Sequence, residues 1–315
     1  MTRGTLLYIG QRTLLIVLTA FIVSSIVFIG VHQLPGNAFV GERRTSAASQ
    51  QALLQHYGLD KPWPQQYGTW VTGVLTRGDL GESLKQRGQK ITPLLLREAR
   101  VSVSLGLFAM AFCIIFGMGL GILAAVKQNT WIDYVASFLA TVGYSMPNFV
   151  TAFLLILLTV TGFYAWSGGN FYEDIGWGKL EQIPVPAIAL GLLPMTLITR
   201  LTRASMLEVI RQDYVRTAWA KGLRSRVVIV RHALRNALIP VITVLGPITT
   251  GVITGSVVIE YLFGIPGLGK EFVSSIFQRD YNVVIAVFTF YAVLVGLANL
   301  AVDLVYPILD PRIRY

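Results

Sequence analysis

Charge is what this sequence has least of. Only 13% of its 315 residues are charged, against 54% hydrophobic residues and a mean hydropathy of +0.61, whereas soluble domains carry about 25% charged residues. A soluble fold is excluded, and a polytopic all-α membrane protein is expected. A single cysteine, Cys113, excludes an intrachain disulfide, and with it a zinc cluster or redox pair. It lies inside the run LFAMAFCIIFGMGLGILAAV and reads as packing. The three histidines, His32, His56 and His232, fall outside the apolar runs, and no G-x-S-x-G occurs. An intramembrane hydrolase therefore has neither base nor nucleophile elbow.

A nucleotide site is missing as well. GIPGLGK, Gly264 to Lys270, has P-loop spacing up to its lysine, but Glu271 stands where Ser or Thr should bind magnesium, and an apolar run rather than a strand precedes it. The stretch reads as a Gly-Pro turn, and the chain has no ATPase of its own. Ion coupling usually shows as ionisable residues deep in spans. The first three spans are bare in their middles, and Arg200, Arg203 and Asp303 lie near span ends, as snorkelling groups or capping pairs. The energy source is expected on another subunit. The net charge of +10 suits orientation in a bilayer and anionic headgroups, and no nucleic-acid partner is expected.

What is present is long apolar runs. About 20 residues cross the hydrocarbon layer, which predicts six transmembrane helices near 12–31, 101–126, 133–163, 186–205, 237–259 and 283–307. Leu14 to Val31 is longer than a signal h-region and lacks an A-x-A site, so it is expected as a retained span. Pro147 should bend the third span, and Thr130 with Asp133 has capping-box spacing that would start it. Short basic loops around Lys127 and over 206–236, with Arg312 and Arg314 in the tail, place both termini in the cytoplasm. The loops 164–182 and 260–282 carry Glu173, Asp174, Glu181, Glu260, Glu271 and Asp280 and are expected outside. The expected organisation is 1–32 as the N-terminal end and first span, 33–100 as an external segment with interfacial helices, and 101–315 as a core of five spans. Trp63, Tyr67 and Trp70 suit headgroup-level helices.

The spans are interrupted by Pro147, Pro194, Pro240, Gly246, Pro247, Gly251 and Gly255. These are kinks and close-packing sites, Gly251-x-x-x-Gly255 having a small-residue spacing, or they line a pathway of irregular backbone. On the pathway reading the candidates are Tyr144, Met146, Pro147, Asn148, Thr243, Pro247 and Thr250. The stretch DYVRTAWAKGLRSRVVIVRHALRNALIP, Asp213 to Pro240, is basic and helix-forming. Leu207, Ile210, Tyr214 and Ala218 recur at helical spacing. Gly222 falls where a positive φ would end that helix. After Ser225 as N-cap, Val227, Val230, Leu234, Ala237 and Leu238 form one face, and Arg231, His232, Arg235 and Asn236 the other. A plain solvated or lipid-facing connector is the alternative.

At these residues the chain resembles the permease subunits of binding-protein-dependent ABC importers, whose cytoplasmic loop carries E-A-A, three residues, then Gly. RTAWAKG fills that pattern with Arg216, Thr217, Ala218 and Gly222. The departures, and the distance to Pro240, resemble the peptide and nickel branch. LPGNAF against that branch's L-P-G-D-P, GLDKPWPQQY, RGDLGES, IEYLFGIPGLG and DLVYPILDPRIRY are similar too, with the oligopeptide permeases the nearest likeness. The resemblance implies a type I ABC importer permease fold in a bacterial or archaeal inner membrane. It also implies a homologous second permease, two ATPase subunits holding ATP and magnesium, and an external binding protein delivering oligopeptides. Dipeptides, nickel or another solute are the alternatives within the branch, and an ATP-independent channel or secondary transporter outside it. Asp213, Tyr214, Arg216, Thr217, Ala218, Lys221, Gly222, Leu223, Arg231 and His232 would form the ATPase-coupling loop. Glu260, Phe263, Pro266, Gly267 and Gly269 would form an external gate or docking turn.

Overall fold

A computed structural model describes residues 3–34, 47–163 and 176–309. Most of LPGNAF, the acidic pair Glu173 and Asp174, and the tail DPRIRY lie outside the described residues. Among those described, the fold is helical. Five helices are long and apolar enough to cross a membrane, and six spans result if one bent pair counts as a single span. The chain forms two compact units, Met1–Val101 with Pro266–Gly296, and Ser102–Ile265 with Leu297–Tyr315.

The first unit is built on α1 (Arg3–His32), α2 (Ala47–His56), α3 (Trp63–Arg77), the start of α4 (Ile91–Val126), α12 (Leu268–Gln278) and the start of α13 (Tyr281–Leu309). One apolar cluster joins Phe28 and Val31 of α1 to Tyr281, Val284 and Ile285 of α13. Another gathers Leu80, Ile91, Leu95, Leu268, Val283 and Val287. The amphipathic aromatics serve as anchors. Tyr67 Oη shares hydrogen bonds with the Ser24 and Ser25 hydroxyls at 2.7 and 2.8 Å, and Trp70 Nε1 donates to the Leu80 carbonyl. Asp280 accepts from the Ser83 hydroxyl and from the backbone N–H groups of Leu84, Lys85 and Val283. That carboxylate ties the RGDLGES loop to the first turn of α13, where an anion also suits the helix dipole.

The second unit contains the rest of α4, α5 (Trp131–Ser145), α6 (Asn148–Leu157), α7 (Pro184–Ile210), α8 (Asp213–Ala220), α9 (Ser225–Val227), a π-helical stretch Val228–Leu234, α10 (Arg235–Ile253) and α11 (Val257–Leu262). Its centre is α7: 56% of its most apolar window is buried, against 22–33% for the other four long helices. Against α7, α4 packs through glycine. A Cβ on Gly121 would lie 2.6 Å from Thr202 Cβ and 2.7 Å from the Thr199 carbonyl. In lipid, helix association relies on such close van der Waals contact.

The prolines act differently from one another. The helices continue through Pro194, Pro240 and Pro247, but α5 and α6 meet at 109° around Met146 and Pro147. Met146 adopts φ −90°, ψ 127°, the extended conformation that a following proline ring imposes. Gly251-x-x-x-Gly255 forms no single helical seam, although a Cβ on Gly255 would lie 3.2 Å from Ser102 Cβ on α4. The helix ends at Ile253, a Cβ on Gly251 would meet nothing within 4 Å, and Gly255 turns the chain at φ +85°. Thr130 is the N-cap of α5 but makes no side-chain cap bond, its hydroxyl donating back to the Lys127 carbonyl. The expected capping box does not form, because Asp133 has stronger partners.

Candidate functional site

The basic stretch folds as two helical segments about a glycine. Periodicity carried one helix from Leu207 through Ala218, yet the chain breaks at Gln212, whose extended ψ of 148° makes it the N-cap of α8. The break turns Tyr214 outward, 42% exposed, and buries Val215 with Ala218 against Val228. Asp213, Arg216, Thr217, Lys221 and Leu223 are all exposed. The Asp213–Arg216 pair, 3.7 Å apart on exposed side chains, contributes little to stability.

Gly222 has φ +72°, the left-handed conformation expected of it. Its N–H donates to the Trp219 carbonyl and that of Leu223 to Ala218. These are the two bonds of a Schellman ending, which satisfies carbonyls left open by the helix.

After the turn the expected face is out of register at Val227 and Val230 and holds at Ala237, with Leu234 and Leu238 partly buried. Ser225 is the first helical residue rather than the cap, which is Arg224. The buried positions are Val228, Ala233 and Ala237, while Val227 and Val230 are exposed. Within the π-helical stretch, i→i+5 bonds widen the turn and set the buried Val228 and Ala233 five residues apart. Arg231 is exposed and His232 partly so. Tyr214 Oη accepts from Asn236 Nδ2 at 2.7 Å and donates to the His232 carbonyl at 3.4 Å, holding α8 to the segment that follows. Beside α8 lies a cleft of about 450 Å³ with Ala125, Val126, Leu207, Val215, Trp219 and Ile229 in its walls.

Above this segment the structure makes an ion pair that sequence reasoning missed. Asp133, 2% exposed, accepts Nε and Nη2 of Arg203 at 2.6 and 2.8 Å, and also the Asn129 N–H. Arg203 was expected to snorkel or cap. The only available signal was one Asp in the first turn of an apolar helix and one Arg near the end of another, seventy residues apart.

The pathway candidates divide. Tyr144, Pro147, Thr243 and Pro247 are exposed, Met146 and Asn148 partly so. The Arg200 guanidinium lies over the Tyr144 ring, 5.5 Å from its centroid. Thr250 is buried and donates to Asn299 Oδ1 at 3.1 Å. In the candidate external turn, Glu260, Phe263, Gly267 and Gly269 are buried and Pro266 is exposed, with Gly267 the N-cap of α12. Glu271, in the first turn of α12, has its carboxyl pushed above the usual range by burial and then by Asp280, with Lys270 and Arg97 opposing.

Residues 117–315 match the family described as binding-protein-dependent transport system inner membrane component. The chain is 41% identical over 307 residues to the dipeptide transport system permease protein DppB of Bacillus subtilis (strain 168), covering 98% of this chain and 97% of that one. It is 38% identical over 310 residues to the oligopeptide transport system permease protein OppB of Escherichia coli (strain K12), covering 98% and 99%. Among solved structures, that described as inward facing conformations of the MetNI methionine ABC transporter superposes with a TM-score of 0.55 at 17% identity, over 69% of this chain and 96% of that one. This likeness carries the fold. The chain therefore belongs to the inner-membrane components of binding-protein-dependent transport systems and is a permease subunit of an ABC importer.

Proposed function

We propose that this chain forms, with a homologous second permease, the translocation pathway for peptides delivered by an external binding protein. In this reading α8 and the Gly222 turn dock on one of two ATPase subunits, which hold ATP and magnesium. The observation that carries it is the form of α8: a short helix anchored by Val215 and Ala218, with Asp213, Arg216 and Lys221 outward and a Schellman ending at Gly222. Such a helix is a rigid projection, suited to a groove on another protein. Tyr144, Met146, Pro147, Asn148, Thr243 and Pro247 face the solute in this reading. Thr250, bonded to Asn299, faces it only after a rearrangement. Glu260, Phe263, Pro266, Gly267 and Gly269 form the external gate, and both termini lie in the cytoplasm.

Relatives named for oligopeptides and for dipeptides support a peptide substrate. Short peptides are the second reading, favoured by the dipeptide relatives. The decisive experiment is co-purification followed by uptake. The chain should bring down ATPase subunits, and its deletion should reduce uptake of radiolabelled di- and tripeptides. Co-purification with unchanged peptide uptake, in a strain without another peptide importer, would leave the permease assignment and overturn the substrate.

A further inference from the structure

The first unit contains a cavity of about 400 Å³, lined by none of the residues proposed for pathway, gate or docking. Phe28 and His32 at the C-terminal end of α1 line it, as do Tyr281 and Ile285 at the N-terminal end of α13. Both helices are long and apolar enough to span a membrane, and they approach the cavity from opposite chain directions. The cavity therefore sits where two spans leave the hydrocarbon together, at headgroup level. The aromatics around it, Tyr57, Tyr67 and Trp70, are the residue types that favour that level.

One polar group beside the cavity is enclosed by the protein and does not open into it. Tyr281 is only 7% exposed, and its hydroxyl has no hydrogen-bond partner. A native buried hydroxyl is nearly always satisfied. By contrast, His32 and Gln66, which also line the cavity, are engaged: His32 Nδ1 with the Phe28 carbonyl, His32 Nε2 with Gln66 Oε1, and Gln66 Nε2 with the Leu59 and Lys61 carbonyls. The remaining lining carries both signs of charge, Lys61 and Arg77 with Asp79 and Glu82.

We propose that this cavity holds the headgroup of a zwitterionic phospholipid with a primary ammonium, the phosphoethanolamine type. The phosphate has Lys61 and Arg77 as its partners, and the ammonium has Asp79 and Glu82. Each alternative headgroup leaves something unmatched. A phosphoglycerol headgroup brings no cation for the two carboxylates. A phosphocholine ammonium has no N–H to give them. Beside the cavity, α1 offers the acyl chains an exposed apolar stripe at helical spacing, Ile22, Ile26 and Ile29. A free peptide has the same two charges but no use for that stripe.

The test is lipid retention. The full-length chain, purified with the subunits that accompany it, is placed in nanodiscs of equal phosphatidylethanolamine, phosphatidylcholine and phosphatidylglycerol, then extracted and weighed by native mass spectrometry. One phosphatidylethanolamine should stay bound, with preference of about tenfold over the other two, as loss of a charge-assisted contact implies. The double variant Arg77→Ala/Glu82→Gln should abolish the preference. Tyr281→Phe, which removes only the enclosed hydroxyl, should leave it unchanged. Equal retention of the three lipids, or the same preference in wild type and the double variant, overturns the proposal. So does displacement of the lipid by trialanine, which would make the cavity a peptide subsite.

Discussion

Arg203 on α7 grips both carboxylate oxygens of Asp133 on α5, ten residues before α8 begins. The bond joins the helix that leads into the break at Pro147 to the helix that leads into α8. Asp133→Ala would leave Arg203 with no anion. Breaking a buried pair in this way costs about 3–5 kcal/mol, and the lower end is expected here because Arg203 is 30% exposed. Thermal unfolding in detergent would show the loss. The exchange Asp133→Arg/Arg203→Asp should recover only part, since it puts a cation in the first turn of α5.

Gly222 is open to substitution in space but not in conformation. A Cβ there meets nothing within 4 Å, so Gly222→Val should carry only the left-handed penalty of roughly 1–2 kcal/mol. Membrane insertion should be intact while ATPase attachment or substrate-stimulated hydrolysis falls. Gly222→Asn should do less harm, because Asn tolerates that region. Equal losses would place the effect in the side chain rather than the backbone.

The close approach at Gly121 has a built-in control. Gly121→Leu must displace the Thr199 carbonyl and Thr202, and overpacking of this kind costs about 1–3 kcal/mol. Gly119, two residues away on α4, has nothing within 4 Å of its Cβ position. Gly119→Ala should stabilise by up to about 1 kcal/mol through helix propensity. The pair of unfolding temperatures should move in opposite directions.

Glu271 should make stability pH-dependent in one direction. Its folded pKa is raised by burial and Asp280, so its contribution is full below the ordinary glutamate range and is lost as pH rises through the raised value. Glu271→Gln should match wild type at acid pH and become the more stable form towards neutral. A melting-temperature difference that stayed constant with pH would contradict this.

Topology can be read with single cysteines in a Cys113→Ala background, Cys113 itself being fully buried. Leu75→Cys and Phe277→Cys, at positions 73% and 80% exposed, should react with an impermeant thiol reagent added outside. Gln128→Cys and Arg224→Cys should not. Labelling at 224 in intact cells would invert the proposed orientation.

Apolar length made the spans legible, and the glycine at 222 was legible because only a left-handed residue suits a Schellman ending. What escaped was set by tertiary partners. The face of 227–238 was misread in its first half because periodicity assumes 3.6 residues per turn, and a π turn does not announce itself in composition. Asp133 was assigned to Thr130 because capping is local, whereas Arg203 is brought near only by folding. The pathway candidates, chosen for irregular backbone, gave no hint that Thr250 would bond to Asn299.

The elbow between α5 and α6 sets a hydrogen-bonding requirement. Pro147 has no N–H to offer the Gly143 carbonyl, and an acceptor without a donor has no stable place in hydrocarbon. A donor from outside the helix ladder is needed there. On the proposed pathway, a polar solute passing that elbow meets interrupted backbone as well as apolar side chains. The several kilocalories per mole that an amide loses on full dehydration need not be surrendered there in one step.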